Sequence, residues 1–289
     1  MSPDHEVPTA PPLSPVTTIP LGHASTPGLT IPVLGFGVWE VPDEVVDSAF
    51  AQALEIGYRH IDTARVYRNE PGVGRVLAST TVPREDIFVT TKVWNNDQGN
   101  VPAAFDASMG RLGIDVLDLY LIHWPAPAQD EYVRAWAALL ELQQSGRVRS
   151  VGVCNFQVAH LERLRTETGV LPSVNQVELS PYLQQEELRA FHAENGIVTE
   201  AWSPLAARAG LLEDPVLATV AAKHGVSPAQ VALRWQLQLG HVVLTRSVQP
   251  ERIEANADLF GFELDEEDLT AIRGLDRGLR TGPDPDAFG

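Results

Sequence analysis

A closed (β/α)8 barrel is the fold this sequence predicts, and three observations predict it. Eight short apolar runs of strand character follow one another along the chain. Amphipathic segments of helical period separate them. The whole alternation fills roughly 250 residues, the usual span of such a barrel. A doubly wound sheet is the alternative. It calls for G-x-G-x-x-G after its first strand, and the chain has only "GFGVWE" there, with no third glycine.

The elements follow in order. Residues 1–16, "MSPDHEVPTAPPLSPV", are Pro-rich and lack an apolar core stretch, so they read as a disordered tail ahead of a single domain over 17–289. "VTTIPL" and "LTIPVL" flank "GHASTPG", the pattern of a β-hairpin. The strand candidates are "VLGFGVW" (33–39), "YRHID" (58–62), "DIFVTTKVW" (86–94), "LDLYLIHW" (117–124), "VRSVGVCNF" (148–156), "SVNQVEL" (173–179), "IVTEAW" (197–202) and "HVVLTRS" (241–247). Between the first two, "DEVVDSAFAQALEIG" puts Val46, Ala49, Phe50, Ala53 and Leu54 on one helix face. After the fourth, "EYVRAWAALLELQQSG" does the same with Val133, Trp136, Leu139 and Leu140, and closes on a glycine cap.

Composition bounds the function. With 289 residues, 44% of them apolar, the chain can bury a sizeable core. A single cysteine, Cys154, excludes an intrachain disulfide and fits a reducing compartment. No run of about 18 apolar residues suggests a membrane span. A formal net charge of −17 argues against nucleic acid and anionic membranes as partners. The expectation is a cytoplasmic monomer acting on a small molecule.

In a barrel of this kind the chemistry sits at the C-terminal strand ends. The second to fifth strands end on Asp62, Lys92, His123 and the pair Cys154–Asn155, at intervals of 30, 31 and 31 residues. That is one βα unit each, so these side chains should face one another across the barrel mouth. A charge at a strand end is costly without a partner, and Lys92, one strand over, is the natural partner for Asp62. Tyr67, on the loop after Asp62, can lean into the same cluster. A phenol with a pKa near 10 is a poor acid at neutral pH, and an ammonium beside it should lower that value. Asp62, Tyr67, Lys92 and His123 thus read as a tuned general acid with a polarising imidazole. Each alone could be a salt-bridge or capping residue; three at barrel period, with Tyr67 on the adjoining loop and all at one face, are harder to explain structurally.

Those residues lie in stretches that resemble the aldo-keto reductase superfamily, particularly bacterial members of the 2,5-diketo-D-gluconic acid reductase kind. The matching stretches are "LGFGVW", "HIDTARVYRNEPGVG", "TKVWNND", "DLYLIHWP", "GRVRSVGVCNF", "NQVELSP", "AWSPL" and "SVQPERIEAN", from about Thr17 to Phe262 and in the family's order. The resemblance implies an NADPH-dependent carbonyl reductase, with the family's tetrad falling on Asp62, Tyr67, Lys92 and His123. It implies that Asn155 and Gln176 hydrogen-bond the nicotinamide carboxamide, with Cys154 beside them in place of the usual serine. It implies that Trp202 stacks on the nicotinamide and that the turn at Ser203 and Leu205 contacts the pyrophosphate. Arg246, Ser247, Arg252 and Asn256 match the 2′-phosphate and adenine site, and paired guanidinium groups suit an oxyanion. Trp39 and Trp94 match walls of the substrate pocket.

The departures fall outside the tetrad. "TRS" stands for the family's "PKS", Ala255 replaces a frequent glutamate, and Ser180 stands where histidine is common. The loop "PAPAQDE" and the tail after Phe262 are short, which implies an open, shallow pocket. A barrel that binds NADP(H) as a sensor without turnover, and a metal-dependent barrel hydrolase, are the competing classes. No H-x-H, H-E-x-x-H or Cys cluster supports the hydrolase, and no metal site is expected.

Overall fold

The computed structural model describes residues 17–21 and 28–289. The tail of residues 1–16 and most of the expected hairpin turn lie outside them. The hairpin strands β1 (Thr18–Pro20) and β2 (Thr30–Pro32) pair antiparallel, Ile19 opposite Ile31. The eight strand candidates each carry a strand: β3 (Leu34–Gly37), β4 (His60–Asp62), β5 (Phe88–Val93), β6 (Leu117–Ile122), β7 (Val148–Cys154), β8 (Val174–Glu178), β9 (Val198–Trp202) and β10 (Val242–Thr245). They pair in parallel in sequence order. β10 then pairs with β3, Val243 opposite Leu34, and closes the barrel. That closure excludes the doubly wound sheet.

Helices α1 (Asp43–Ile56), α2 (Glu70–Ser79), α3 (Val101–Leu112), α4 (Tyr132–Gln144), α5 (Val158–Thr168) and α6 (Glu186–Glu194) each follow a strand. α7 (Pro215–His224) and α8 (Pro228–Gln238) both lie between β9 and β10; α9 (Pro250–Ala257) and α10 (Glu266–Arg273) come after β10. α1 buries the five residues its periodicity named and ends on Gly57 at φ 118°, a backbone angle glycine adopts at little cost. α4 departs from the pattern. It buries Tyr132, Ala135, Trp136, Leu139 and Leu142, so its inward face is rotated away from Val133 and Leu140. Tyr132, at the start of that face, packs edge-on against Phe156, centroids 5.3 Å apart.

Inside the barrel the side chains form layers. The starts of β5, β8 and β10 contribute Phe88, Val174 and Val242, which pack with Leu119 and Leu121 of β6 and with Leu21 and Ile31 of the hairpin region. The hairpin therefore plugs the N-terminal end. Gly152 of β7 makes room for this packing: a Cβ there would stand 2.6 Å from the Val174 carbonyl and 2.7 Å from Leu121. Toward the other end the interior turns polar. Registers Asp62–Thr90, Cys154–Gln176 and Gln176–Glu200 set these residues side by side on neighbouring strands.

Candidate active site

Asp62 ends β4 and Lys92 lies one residue before the end of β5, so the parallel register brings both to the C-terminal mouth. Lys92 is fully buried. Its Nζ donates to Asp62 Oδ1 at 2.6 Å and to the Thr63 carbonyl at 2.9 Å. The pairing expected from spacing is therefore present. Tyr67 closes a 3₁₀ turn, Arg65–Tyr67, that follows β4. Its ring lies 5.1 Å from Lys92 Nζ and edge-on to His123, centroids 5.6 Å apart. Asn69 locks this loop: it accepts from Thr63 Oγ1 at 2.9 Å and donates to the carbonyls of Val38 and Val41 at 2.7 and 2.9 Å. The sequence reading passed over Asn69, although it stands inside the "HIDTARVYRNEPGVG" stretch.

The electrostatics differ in one respect from expectation. Burial drives the Tyr67 phenol above its ordinary value, and the pull of Lys92 in the other direction is the smaller effect. The phenol is thus protonated at neutral pH. Burial also works against the charge on Lys92, but the charge and hydrogen bond of Asp62 hold the ammonium. Burial, then Lys92, pushes the His123 imidazole far below its usual range, so it is neutral. Burial raises the Cys154 thiol well above its ordinary range.

Around this group lie the other expected residues. Gln176 Nε2 donates to Asp62 Oδ2 at 2.9 Å and to Glu200 Oε2 at 2.8 Å. Asn155, at φ 63°, donates from Nδ2 to the His123 carbonyl at 3.1 Å and accepts from Trp202 Nε1 at 2.8 Å. Trp202, Ser203 and Leu205 are half-buried at the end of β9 and just beyond it. Trp94 stands edge-on to His123, centroids 5.1 Å apart. Trp39 is set apart from that group. It is exposed, with the guanidinium groups of Arg208 and Arg246 at 5.5 and 5.2 Å from its ring.

The two arginines singled out for an anion do not share a partner. Arg246 donates to the Trp39 carbonyl at 2.8 Å and to Glu40 at 3.2 Å; Arg208 reaches Glu40 at 3.3 Å. α9 begins at Pro250, so Arg252 lies in its first turn, exposed and without an ion-pair partner among the described residues. Asn256 is buried at the far end of α9 and its side chain makes no hydrogen bond among the described residues. Ser247 is half-buried, its hydroxyl accepting from Gln249 N at 3.0 Å.

The segment after Phe262 covers the mouth instead of leaving it open. Arg277 N and Leu279 N donate to the Tyr182 carbonyl at 3.1 and 3.0 Å. The buried Glu178 carboxylate then accepts from Thr281 N at 2.7 Å and Gly282 N at 3.0 Å. At Gly282 the chain runs so close to Trp202 that a Cβ would lie 2.5 Å from the indole edge. Phe288 packs on Trp124 at 4.7 Å and on Trp94 at 6.2 Å between centroids. The expectation of an open, shallow pocket came from tail length; backbone donors satisfied by Glu178 decide the tail's path instead. Among the described residues no three His, Cys, Asp or Glu side chains are grouped to hold a metal ion.

A neutral phenol and a neutral imidazole, facing each other beside a buried ammonium, suit an enzyme that delivers a proton to an oxygen atom. Comparison with known proteins narrows the class. The model of the Aldo/keto reductase family matches residues 33–277, and the chain belongs to that family. It is 54% identical over 263 residues to an aldo-keto reductase of Mycolicibacterium smegmatis, covering 90% of this chain and 95% of the relative. It is 49% identical over 263 residues to methylglyoxal reductase DkgA of Escherichia coli K12, covering 91% and 96%. Among solved structures, the apo form of Gox0644 superposes with a TM-score of 0.87 at 46% identity, covering 93% of this chain and 97% of that one. A mutant of Gox0644 solved with NADPH superposes with a TM-score of 0.85 at 48% identity, covering 90% and 95%.

Proposed function

We propose that this protein reduces aldehydes and ketones to alcohols with NADPH, Tyr67 giving the proton. One observation carries the reading: the buried Lys92 ammonium, fixed on Asp62 at 2.6 Å, lies beside the Tyr67 ring, opposite the His123 imidazole. When bound, NADPH supplies a hydride to the carbonyl carbon. The chain's own groups do the rest. Neutral His123 can donate its N–H to the carbonyl oxygen and orient it, but that N–H is far too weak an acid to give its proton up. Tyr67 holds a proton until negative charge builds on that oxygen, then releases it. Lys92 stabilises the phenolate as it forms, which is worth most in a buried site. Asp62 keeps the ammonium charged and in place.

The residues at hand fit the cofactor. Half-buried Trp202 offers an indole held by Asn155, and the other end offers Arg252 and the Asn256 amide, neither side chain with a partner among the described residues. The substrate wall is read as Trp94, Trp124 and Phe288, with Trp39 beyond it. An aromatic wall suits a small, partly apolar carbonyl compound, and the likeness to methylglyoxal reductase DkgA makes 2-oxoaldehydes the first class to try. The intact proton-transfer group disfavours a sensor without turnover. No described helix is long and apolar enough to cross a membrane. The test is NADPH oxidation by purified protein against a panel of aldehydes, ketones and diketones, methylglyoxal among them. No turnover with any of them, despite NADPH binding, would favour the sensor.

The cofactor's 2′-phosphate gives a separate expectation. Arg246 is already engaged by Glu40, whereas Arg252 has no ion-pair partner among the described residues, so Arg252 is read as the larger contributor. A hydrogen bond to a charged group is worth about 1.5–3 kcal/mol, less when exposed, so Arg252→Ala should raise the NADPH Kd roughly tenfold. NADH binding should hardly change, and the Arg246→Ala penalty should be smaller. Added salt should weaken NADPH more than NADH. Fluorescence titration of both cofactors decides; equal weakening of the two would mean that Arg252 supports the adenosine and does not read the phosphate.

A further inference from the structure

Behind Asp62 and Lys92 lies a second buried carboxylate that the reaction described above does not use. Glu200, in β9, is fully buried and points into the barrel. Its Oε2 accepts from Gln176 Nε2 at 2.8 Å, the same nitrogen that donates to Asp62 Oδ2 at 2.9 Å. One amide group therefore ties the two carboxylates together. Glu200 Oε1 has no hydrogen-bond partner among the described residues. The groups facing Glu200 are few. From β4 come Asp62 and His60, whose Nε2 is 3.8 Å from Oε1; from β5 comes Lys92, from β7 Cys154 and from β8 Gln176. Lys92 is committed to Asp62. His60 donates or accepts at Thr90 Oγ1 over 3.0 Å and is held neutral by burial, its pKa down to about 3. Among the described residues no other cation is left for Glu200, and an unpaired carboxylate in such a place is strongly disfavoured.

We propose that Glu200 is a positioning residue of the catalytic group: as a neutral carboxylic acid it holds Gln176, and through Gln176 it fixes Asp62 and hence Lys92. Burial, and then the charge of Asp62, push the Glu200 carboxyl up to about 8, in keeping with that state at neutral pH. Ionisation of Glu200 adds a second negative charge behind Lys92. That charge disfavours phenolate on Tyr67 and makes it a weaker acid. The reduction rate should accordingly fall as pH rises through about 8. The phenol itself stays protonated there, so its own titration is not the source of the fall.

The inference depends on the roles given to Tyr67, Lys92 and Asp62, and the experiment separates the two. The full chain is assayed with NADPH and methylglyoxal from pH 6 to 10 as wild type, Glu200→Gln, Glu200→Leu and Tyr67→Phe. Glu200→Leu leaves a Gln176 N–H without its acceptor, and kcat should fall roughly tenfold with little change in KM. Glu200→Gln keeps the shape and a carbonyl acceptor but cannot ionise. It should restore most of that loss at pH 7 and remove the alkaline fall. Direct observation comes from the carboxyl carbon of 13C-labelled glutamate by NMR, the Glu200 signal being the one absent in Glu200→Gln. That signal should titrate near pH 8, not in the ordinary glutamate range. A Glu200 signal that is already a carboxylate at pH 6, or a Glu200→Gln profile that keeps the alkaline fall, overturns the inference. The NMR result stands even if Glu200→Leu does not fold. If Tyr67→Phe retains activity, the reading of the catalytic group fails first, whatever Glu200 does.

Discussion

Tyr67→Phe should lower kcat for aldehyde reduction by at least about 10²–10⁴-fold, the usual worth of general acid catalysis. The substitution removes one oxygen atom and little else. The ring contacts at 5.6 Å to His123 and 5.1 Å to Lys92 are contacts of the aromatic ring, which phenylalanine keeps. NADPH affinity and thermal stability should therefore stay close to wild type. Neither titratable neighbour of the ring, His123 or Lys92, is suited to take over the proton. His123 is held neutral by burial and Lys92, and the Lys92 ammonium is held by Asp62. A Tyr67→Phe enzyme that kept most of its activity would mean that the acid is another group or solvent. Steady-state rates and cofactor titration on the same preparation separate loss of chemistry from loss of binding.

Much of the candidate site is legible in the sequence, because a parallel barrel repeats one βα unit and marks it with a polar strand end. That is why Asp62, Lys92 and His123 could be placed by counting. What escaped depends on three-dimensional neighbours with no sequence period. The inward face of α4 starts at Tyr132, whose partner Phe156 lies on the loop after the next strand. Arg246 turns to Glu40 and Trp39, some two hundred residues earlier. The tail crosses the mouth because Glu178 accepts its backbone N–H groups, which carry no side-chain signature. The upward direction of the Tyr67 shift is hidden from the sequence for a related reason. Charge neighbours are legible from spacing, whereas the extent of burial is a property of the closed barrel. Nothing in "IVTEAW" marks Glu200 as special; its burial and its register with Gln176 show it facing inward.

Lys92→Met should be nearly as damaging as loss of the phenol, and its combination with Asp62→Asn tests whether the pair acts as one unit. Lys92 is fully buried and 2.6 Å from a carboxylate that is itself only 3% exposed. Removing the ammonium strands that carboxylate in the interior, and breaking a buried pair by taking one partner costs about 3–5 kcal/mol of stability. Asp62→Asn in the same chain removes the stranded charge, so the double variant should be more stable than Lys92→Met alone. Activity should follow a different rule. Without the ammonium nothing stabilises the phenolate, and Asp62 has no cation left to position. Residues that act as a unit are strongly non-additive in rate. The double variant should therefore be scarcely slower than Lys92→Met, although Asp62→Asn alone is impaired. Urea unfolding gives one cycle and kcat/KM the other. Two losses that simply multiplied in rate, together with stabilities that simply added, would show that Asp62 and Lys92 work independently. The 2.6 Å contact would then be a feature of packing, and the charge that supports Tyr67 would have to be sought elsewhere.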